Sequence, residues 1–507
     1  MDFFPSFAEF NKKILNKQNQ IIYTKFSADL DTPVSLMLKI AKNEKNSFLL
    51  ESVTGGEIKG RYSVIGMKPD LIWKCNLKES EINRNVLKKP DSFIKEKDHP
   101  ITALKALIKE SYVNIPNNLP VMSAGLFGYL SYEMINFVKK VSDPSKQDLN
   151  LPESILFRPS IIIIIDNIKG EIIAINPVWI GSNKDNIIST KTLYNKSKNT
   201  LKSIIQRIST PVSAYNFNFN SKEINKKDSN PMSNFSKIAF LNSIKKAINY
   251  IRLGDVLQVV LSQRWKIEFR NHPFSFYRAL RKTNPSPYMF FFNFNDFQIV
   301  GASPEILVKV SKNKVTIRPI AGTRPRGKNI IEDRKYEKDL LKDPKENAEH
   351  LMLLDLGRND VSKVSKIGSV KTTESFIIEK YSHVMHIVSN VEGNLDSKND
   401  NVDALFAGLP AGTVSGAPKI RAMEIINELE NQNRGVYAGG VGYFGASNEM
   451  DICIALRTAV IKNENIYIQA GAGIVYDSIP QNEYNETLNK AKALFEAIKI
   501  ANQQFTD

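Results

Sequence analysis

Cysteine is scarce in this sequence: Cys75 and Cys453 are the two cysteines among 507 residues. Two cysteines so far apart exclude a disulfide framework and are typical of a reducing compartment, so we expect a cytoplasmic protein. Long apolar runs are also missing, because the isoleucine run 161–165 ends at Asp166. That run predicts a buried strand and is too short to span a membrane. The opening residues, MDFFPSFAEFNKK, lack the pattern of a secretory signal.

A clustered basic surface is missing too, although the formal net charge is +16. Lysines are scattered along the whole chain, without an arginine-rich arm or an aromatic and basic RNA-binding motif. We therefore expect no nucleic-acid partner, and the charge favours solubility and attraction for anionic metabolites. The 42% hydrophobic content is ample for a large core.

The chain divides into two regions around a polar segment. Residues 209–233, which include NFNFNSKEINKKDSNPMS, lack apolar periodicity and predict a linker or a long surface loop. Residues 1–208 and 234–507 each mix strand and helix patterns, with no regular βαβ repeat. The sequence therefore predicts an α+β fold with mainly antiparallel sheet.

Two clear patterns follow the polar segment. Residues 236–255 predict a helix, because apolar residues recur near helical spacing and Gly254 supplies a stop. The apolar face of this helix would hold Ile238, Leu241, Ile244, Ile248 and Ile251. Residues 256–269, VLQVVLSQRWKIEF, predict a strand.

A helix that carries carboxylates is predicted from Asp343 onward. Asp343 fits an N-cap, and Pro344 fits the first helical position. Glu346 fits a capping box, which would be a structural role, or a metal ligand. Glu349 lies one turn further along the same face, where a structural role is harder to find.

The C-terminal segment NEYNETLNKAKAL predicts a second such helix, with Glu483, Glu486 and Lys490 on one face. Spacing alone favours a plain exposed Glu486–Lys490 ion pair over a metal site. Oxygen ligands from two helices, completed by substrate oxygens, are nevertheless what Mg²⁺ prefers.

Two glycine segments, one arginine and two histidines are further candidates. Gly471–Gly473 and Ala321–Thr323 predict either ordinary turns or backbone amides that approach a carboxylate closely. Arg457, in the strand-like DICIALRTAV, fits a bidentate carboxylate ligand or a strand-edge surface arginine. His383 and His386 are three residues apart, so in a strand they face opposite sides and cannot share one metal. Either histidine could be a general base, and spacing does not choose between them.

Eight segments in order carry a resemblance: GDVLQVVLSQR, NPSPYMFF, GASPE, PIAGTRPRG, EHLMLLDLGRND, YSHVMHIVSNVEG, LPAGTVSGAPKIRAMEII and the GAG of 471–473. In these the chain resembles the chorismate-utilising enzymes, and especially the large subunits of anthranilate synthases. The resemblance runs from LLES, residues 49–52, to the final helix. It implies mainly antiparallel sheets packed as a sandwich with helices outside. It also implies conversion of chorismate and ammonia to anthranilate and pyruvate, the first committed step of tryptophan biosynthesis.

The resemblance implies Mg²⁺ as the cofactor. Glu349 and Glu486 would bind the metal, which would hold the ring carboxylate of chorismate. Glu346 and Glu483 would support the hydration shell of the metal. This assignment would turn the two carboxylate helices into the walls of one site.

The resemblance also implies the roles of the remaining site residues. Glu305 would protonate the departing C4 hydroxyl, and His386 would remove the C2 proton as pyruvate leaves. Thr413, beside the ring, and Lys490, beside the enolpyruvyl group, would join them as catalytic residues. The ring would also be lined by Gly322 and Thr323. The enolpyruvyl side would be held by Tyr437, Arg457, Gly471, Ala472 and Gly473.

Two positions separate the related activities. Isochorismate and salicylate synthases resemble this chain but place a water-activating lysine where it has Gln258. Many aminodeoxychorismate synthases have a lysine where it has Ala321, which leaves attack at C2 to free ammonia. The resemblance therefore favours anthranilate as the product. The alternatives are an aminodeoxychorismate synthase component I and a non-catalytic regulator that binds chorismate or tryptophan.

Ammonia requires a source. Neither cysteine lies in a glycine-flanked turn of the kind that carries the nucleophile of glutamine amidotransferases. The resemblance therefore implies a separate glutamine amidotransferase subunit, component II, in a heterotetramer of two large and two small subunits.

The resemblance further implies feedback inhibition by tryptophan, bound between an LLES-type strand and the NPSPYMF segment. The residues concerned would be Glu51, Ser52, Asn284, Pro287, Tyr288 and Met289. Proline-rich turns present a rigid backbone, and Tyr288 and Met289 offer an apolar wall for an indole ring. The sequence alone favours a simpler interpretation, in which NPSPYMFF is a turn that enters a buried strand.

Overall fold

The computed structural model describes residues 1–53, 60–76, 78–141, 146, 148–180, 189–211, 230–381 and 384–504. The helices within these ranges are α1 (Phe7–Leu15), α2 (Pro33–Ile40), α3 (Pro100–Glu110), α4 (Thr190–Ser209), α5 (Lys237–Arg252), α6 (Pro273–Thr283), α7 (Ile330–Lys342), α8 (Pro344–Ser362), α9 (Asn401–Gly408), α10 (Lys419–Leu429) and α11 (Pro480–Gln504). In the part of the chain that is described, no helix combines the length and the apolar character that crossing a membrane requires.

The strands make up most of the remaining regular structure. They are β1 (Gln20–Ser27), β2 (Ser47–Glu51), β3 (Tyr62–Asn76), β4 (Glu79–Asn83), β5 (Ile94–Lys95), β6 (Gly125–Leu130), β7 (Ser154–Asp166), β8 (Glu171–Val178), β9 (Met232–Ser233), β10 (Gln258–Glu268), β11 (Tyr288–Asn293), β12 (Gln298–Ser303), β13 (Ile306–Ser311), β14 (Lys314–Ile317), β15 (Ile320–Pro325), β16 (Lys371–Lys380), β17 (Val384–Asn394), β18 (Gly416–Ala417), β19 (Gly440–Gly445), β20 (Met450–Ile454), β21 (Thr458–Lys462) and β22 (Asn465–Ile474). The pairings between them are antiparallel.

Two long strands, β3 and β7, belong to both halves of the sheet system. They pair along most of their length, with a register shift between Pro69 and Leu71. On one side of the shift β2 and β8 flank the pair, and the sheet continues from β2 through β11, β12, β21 and β22 to β10. On the other side β4 and β6 flank it, and the sheet continues from β6 through β19, β20, β13 and β14 to β17. An irregularity of this kind lets one strand pair serve two packed sheets.

The space between the two halves is filled by side chains from strands and loops. Its centre is an aromatic group in which Phe48 contacts Phe127, Phe157 and Phe292, with ring centroids 4.5, 5.7 and 5.3 Å away. Helices α2, α4, α6 and α11 cover one outer face, and α3 and α9 cover another. The predicted α+β fold, an antiparallel sandwich with helices outside, is confirmed.

The isoleucine run of β7 is buried on both faces. Ile162 and Ile164 belong to the core between the halves, whereas Ile161, Ile163 and Ile165 pack under the outer helices. A strand covered on both sides needs no polar face, which explains the unbroken apolar run. The prediction of a buried strand is confirmed.

The predicted helix and strand after the polar segment are α5 and β10. Ser236 caps α5 by accepting a hydrogen bond from the N–H of Ala239. The predicted apolar face was wrong at its start, because Ile238 is 72% exposed. The buried face begins instead at Phe240 and continues through Ile244 to Ile251, which is the better fit to a period of 3.6.

The regions on either side of the polar segment are joined through the sheet. Strand β2 pairs with β11, and β6 pairs with β19. Most of the predicted linker, residues 212–229, lies outside the described residues, so that interpretation stays a prediction. Its described ends are regular: α4 runs to Ser209, and Met232–Ser233 form β9.

Candidate active site

Helix α8 starts where the sequence predicts. Its first turn faces a bulge in strand β15 at Gly322. Asp343 is the N-cap and accepts from the N–H groups of Lys345 and Glu346. The capping-box interpretation of Glu346 was wrong, because its carboxylate instead accepts a hydrogen bond from Arg324 Nη1 at 3.2 Å. Burial raises the pKa of Glu346, while Arg324 acts in the opposite direction. A half-buried carboxylate that faces inward is available to a ligand.

Glu349 lies one turn further along α8 and meets strand β10. Its Oε1 accepts a hydrogen bond from Gln258 Nε2 at 3.1 Å. Glu349 is also close enough to Glu346 for the two charges to interact. The helix therefore presents two carboxylates to the same side, as the spacing predicts.

The first turns of α11 carry the second carboxylate pair. Glu486 forms an ion pair with Lys490 at 2.7 Å, and both side chains are about half exposed, at 46% and 53%. The structure therefore contains the exposed Glu486–Lys490 ion pair that spacing alone favours. Glu483 is more buried; it accepts from Ser478 Oγ at 2.8 Å, and burial raises its pKa. Lys345 of α8 lies near enough to lower that pKa, so the two helix starts face each other.

The donor set fits a hard cation that keeps most of its ligands from substrate and water. Across the described ranges, no three His, Cys, Asp or Glu side chains converge into a complete metal cluster. The four glutamates instead offer carboxylate oxygens in two pairs, which suits Mg²⁺ with its reluctance to lose water. Space is kept open beside them, because a Cβ on Gly322 would lie 3.2 Å from Glu346 Oε2.

The GAG segment lies in a strand, so its interpretation as a turn was wrong. Gly471, Ala472 and Gly473 belong to β22 and pair with Ser262, Leu261 and Val260 of β10. Close packing explains the first glycine, since a Cβ there would lie 2.9 Å from the Tyr437 hydroxyl. Burial raises the pKa of Tyr437 to about 12, so its hydroxyl stays protonated.

Lys490 links the last helix to this strand. Its Nζ donates to the carbonyl oxygen of Gly471 at 3.1 Å as well as to Glu486. The structure therefore brings the predicted enolpyruvyl-binding strand, Tyr437 and the C-terminal helix into one place.

The AGT segment is a bulge in β15 and not an isolated turn. The register with β17 shifts between Ala321 and Arg324, and Gly322 has a φ of +64°. That conformation favours glycine, and it turns the Gly322 carbonyl toward β17. Ala321 itself is buried at 9% exposure and carries no amine.

His386 of β17 receives this carbonyl. Its Nδ1 lies 2.8 Å from Gly322 O and 3.1 Å from Thr323 Oγ1. Because a carbonyl oxygen accepts, Nδ1 carries the proton and Nε2 keeps its lone pair. Burial lowers the pKa of His386, which holds the ring neutral. This geometry leaves Nε2 of His386 able to accept a proton, and the role of base stays a prediction; His383 lies outside the described residues.

Glu305 sits in the short connection between β12 and β13. Glu305 is 6% exposed, and burial raises its pKa to about 8. The Thr413 hydroxyl and the Ile320 N–H act in the opposite direction and lower that pKa. Thr413 belongs to the 3₁₀ turn Gly412–Val414, and both residues line one cavity. A carboxyl group with this pKa is mostly protonated at neutral pH and can serve as an acid.

Arg457 lies in a turn between β20 and β21. Both interpretations from the sequence placed this arginine in a strand, and that placement was wrong. Its φ is 47°, and its Nη1 lies 3.4 Å from Asn284 Oδ1. Burial lowers the pKa of Arg457, while nearby Tyr381 acts in the opposite direction, and Arg457 lies near enough to His386 to lower the pKa of that ring. The guanidinium is therefore held inside the site and not on a surface edge.

Two further residues of the site were not predicted from the sequence. Tyr381 stacks edge-on to His386, with ring centroids 5.6 Å apart, and its hydroxyl donates to Glu379 at 2.7 Å. Arg324 holds Glu346 and also pairs with Asp343 at 2.7 Å. The position of Arg324 directly after the bulge at Gly322 was a sequence signal for its role. Nothing in the local pattern pointed to Tyr381.

The segments predicted to form an effector site also meet. Glu51 of β2 pairs with Met289 of β11, and its carboxylate accepts from the Tyr277 hydroxyl and from Arg281 Nε at 3.1 Å. Tyr288 donates to Asp451 Oδ1 at 3.1 Å. The remaining predicted residues, Ser52, Asn284 and Pro287, lie in the connections just outside β2 and β11.

Known proteins resemble this chain over most of its length. The model of the chorismate binding enzyme family matches residues 48–496. Anthranilate synthase component 1 of Cereibacter sphaeroides is 53% identical over 98% of both chains, and that of Aquifex aeolicus is 42% identical over 97% of both.

Solved structures show the same relationship. Anthranilate synthase component I from Streptococcus pneumoniae has a TM-score of 0.73 at 37% identity, covering 87% of this chain and 93% of that one. The menaquinone-specific isochorismate synthase of Escherichia coli, at 17% identity and a TM-score of 0.69, shares the fold. From the match over most of its length, this chain belongs to the chorismate binding enzyme family.

Proposed function

We propose that this chain is the synthase component of an anthranilate synthase, which converts chorismate and ammonia to anthranilate and pyruvate. One observation carries the proposal. Glu305 and His386 both lie beside Tyr381, and burial keeps the carboxyl protonated and the imidazole neutral. A reaction that needs an acid for one step and a base for the next is served by such a pair.

The steps follow from these two groups. In the first, the nitrogen of ammonia bonds to C2, the ring double bonds shift, and the C4–O bond breaks. Glu305 gives its proton to the departing hydroxyl, which leaves as water, and the surplus proton on nitrogen passes to solvent. In the second, Nε2 of His386 takes the C2 proton, the C3–O bond breaks, and the enolpyruvyl group leaves to become pyruvate after protonation.

Mg²⁺ would be held by Glu349 and Glu486, with Glu346 and Glu483 behind them. When bound, it would offset negative charge on the ring carboxylate. The enolpyruvyl carboxylate would then be oriented by hydrogen bonds from Arg457, Tyr437 and the Gly471–Gly473 segment of β22. This assignment leaves the far side of the ring to Glu305 and Thr413.

The two alternative functions fit these residues less well. An aminodeoxychorismate synthase of the lysine type would need an amine at residue 321, which is alanine here. A non-catalytic regulator would have no use for an acid and a base held in one site. Anthranilate is therefore the favoured product.

The proposal is tested by the nitrogen source. The purified chain with chorismate, Mg²⁺ and ammonium should produce anthranilate, detected by its fluorescence, while glutamine alone should not support turnover. Both cysteines are buried, and burial raises the thiol pKa of each, so neither is a glutamine-hydrolysing nucleophile. Adding a glutamine amidotransferase component II should restore glutamine-dependent turnover. Glutamine use by the pure chain would contradict the proposal.

The metal assignment gives a second expectation. Glu486→Gln removes one charged ligand at nearly constant volume and should raise the Mg²⁺ requirement steeply or abolish turnover. Its matched control is Lys490→Met, which breaks the same ion pair but leaves the carboxylate in place. Titration of turnover with Mg²⁺ distinguishes the two variants. An unchanged Mg²⁺ curve for Glu486→Gln would mean that the residue serves as an exposed ion-pair partner.

Feedback inhibition by tryptophan belongs to the same proposal. Asn284, one of the predicted effector-site residues, accepts a hydrogen bond from Arg457 Nη1 at 3.4 Å. An effector that shifts Asn284 would therefore disturb chorismate binding, and chorismate would weaken effector binding by the same factor.

The Ser52→Arg variant tests the effector pocket. An arginine there should fill the pocket and abolish inhibition by tryptophan while leaving uninhibited turnover near that of the wild type. Ser27→Arg is the control, because it adds the same charge at the exposed last residue of β1, a strand that pairs with β8. Turnover is measured against tryptophan concentration for the three proteins. Equal inhibition of all three would place the effector elsewhere.

A further inference from the structure

We propose that Tyr381 is a positioning residue for pyruvate elimination, whose hydroxyl holds the carboxylate of Glu379 away from the imidazole of His386. This inference rests on the proposed function, in which His386 is the base for that step. It starts from the place of Glu379 in the sheet, directly across from the histidine.

Glu379 of β16 and His386 of β17 are partners in the strand register. Side chains of directly opposed residues point to the same face of a sheet, with Cβ atoms about 4.5–5.5 Å apart. A carboxylate in that place would ordinarily pair with the imidazole and favour its protonated form. Because an imidazolium has no free lone pair on nitrogen, it cannot take the C2 proton. The base therefore needs this carboxylate to be turned elsewhere.

Glu379 is turned toward two other partners. Its Oε2 accepts a hydrogen bond from the Tyr381 hydroxyl at 2.7 Å, and its Oε1 pairs with Nη1 of Arg318 at 2.6 Å. Nδ1 of His386 faces the carbonyl oxygen of Gly322 at 2.8 Å instead. The phenol and the guanidinium thus each occupy one carboxylate oxygen of Glu379.

Tyr381 is fixed in the position that this role requires. Its N–H donates to the carbonyl oxygen of Val384 at 2.8 Å, and its own carbonyl oxygen accepts from Arg326 Nη1 at 2.6 Å. Its ring packs edge-on against His386, with centroids 5.6 Å apart. Burial and the nearby Glu379 raise the pKa of the Tyr381 hydroxyl, so the phenol stays protonated and remains a donor. One anchored side chain therefore contacts both the base and the carboxylate opposite the base.

The charge balance around His386 depends on where Glu379 lies. Burial lowers the pKa of the imidazole most, and Arg457, in the turn between β20 and β21, lowers it further. The Gly322 carbonyl of β15 and Glu379 of β16 raise that pKa, and Tyr381 meets the ring as a neutral group. Freeing one oxygen of Glu379 would let its negative charge approach the ring and favour the imidazolium.

The test is the titration of His386 in Tyr381→Phe, which removes the hydroxyl and keeps the ring. The chain has five histidines, so NMR of the full chain with isotope-labelled histidine can follow each one, and His386→Met identifies the resonance. The midpoint of His386 should rise by about one pH unit, the effect of a carboxylate brought within about 4–6 Å. Combining Tyr381→Phe with Glu379→Gln should cancel that rise, because the approaching side chain then carries no charge.

Pyruvate release provides the functional measurement. Supplying aminodeoxyisochorismate to the full chain bypasses amination and reports on elimination alone. The acid limb of pyruvate release in Tyr381→Phe should move to higher pH by the same amount as the NMR midpoint, while the rate at high pH stays near that of the wild type.

Tyr250→Phe is the matched control. It removes a phenol that donates to a glutamate carboxylate at the same distance, 2.7 Å to Glu428 Oε2, in an exposed pair between α5 and α10. The midpoint of His386 and the acid limb of pyruvate release should both be unchanged in this variant.

The outcomes separate this inference from the function beneath it. A wild type that makes no anthranilate from ammonium would refute the proposed function, whereas the NMR midpoints need no turnover. An unchanged midpoint of His386 in Tyr381→Phe would refute the inference and leave the function standing. An equal rise with and without Glu379→Gln would show that the carboxylate is not the cause, and would refute the inference as well.

Discussion

Glu305→Gln should lower turnover about 10²- to 10⁴-fold, because it removes the proton donor for the C4 hydroxyl while preserving shape. The wild type should itself lose activity as pH rises through about 8, where the buried carboxyl ionises. Ammonia must be saturating in this measurement, since its free-base fraction rises with pH and would mask the decline. The glutamine variant should show a low rate without this alkaline limb.

Stability should respond to pH in the same two proteins. The pKa of Glu305 is raised in the folded state, so folding favours the protonated form. The free energy of unfolding of the wild type therefore falls as pH rises from the ordinary glutamate range to about 8. Glu305→Gln lacks this titration, and its stability relative to the wild type should increase over that window. Thermal denaturation at several pH values measures the difference.

A second buried glutamate provides the control. Burial also raises the pKa of Glu133 to about 8, but Glu133 accepts from the backbone N–H groups of Arg434 and Gly435 and lines a different cavity from Glu305. Glu133→Gln should alter the pH dependence of stability and leave the alkaline limb of turnover in place. If Glu305→Gln retained wild-type turnover, another group would have to be the acid.

His386→Met should separate the two chemical steps. Without the imidazole, amination by way of Glu305 continues, but the C2 proton is not removed, so pyruvate elimination slows about 10²- to 10⁴-fold. Aminodeoxyisochorismate should then accumulate and be detected by liquid chromatography with mass spectrometry. Anthranilate release at the wild-type rate would show that a different group is the base.

Thr323→Val is the comparison for this variant. It removes the hydroxyl 3.1 Å from Nδ1 but leaves the shorter contact, 2.8 Å to the Gly322 carbonyl, which sets the tautomer. We expect a much smaller loss of turnover and no accumulated intermediate. An effect equal to that of His386→Met would mean that the threonine hydroxyl, and not the carbonyl, holds the ring.

Patterns confined to one element were predictable from the sequence. The isoleucine run of β7, the helical pattern of α5 and the Asp343-Pro344 start of α8 are local signals, and the structure confirms all three apart from the exposed Ile238 of α5. The order of the eight motifs identified the family. These features depend on neighbours within a few residues, where spacing and capping preferences decide the outcome.

Features that depend on distant partners were not predictable. Glycine suits a turn or a crowded strand equally well, and the contact of Gly471 with Tyr437 decides between them. The tautomer of His386 is set by Gly322, 64 residues away in sequence. Arg457 looked like a strand residue because its neighbours on both sides are strands. The left-handed turn that separates them leaves no strong residue signal.

The pairing of early strands with late ones has a consequence for how the chain is made. Strand β6 ends at Leu130, but its neighbour β19 begins at Gly440, so the neighbour is synthesised more than half a chain later. Until β19 is made, β6 presents an open edge of the kind that pairs with other chains, and β2 does so until β11 is made. Contacts this far apart in sequence slow folding and prolong that exposure. We expect the nascent protein to depend on chaperones until β19 has emerged from the ribosome.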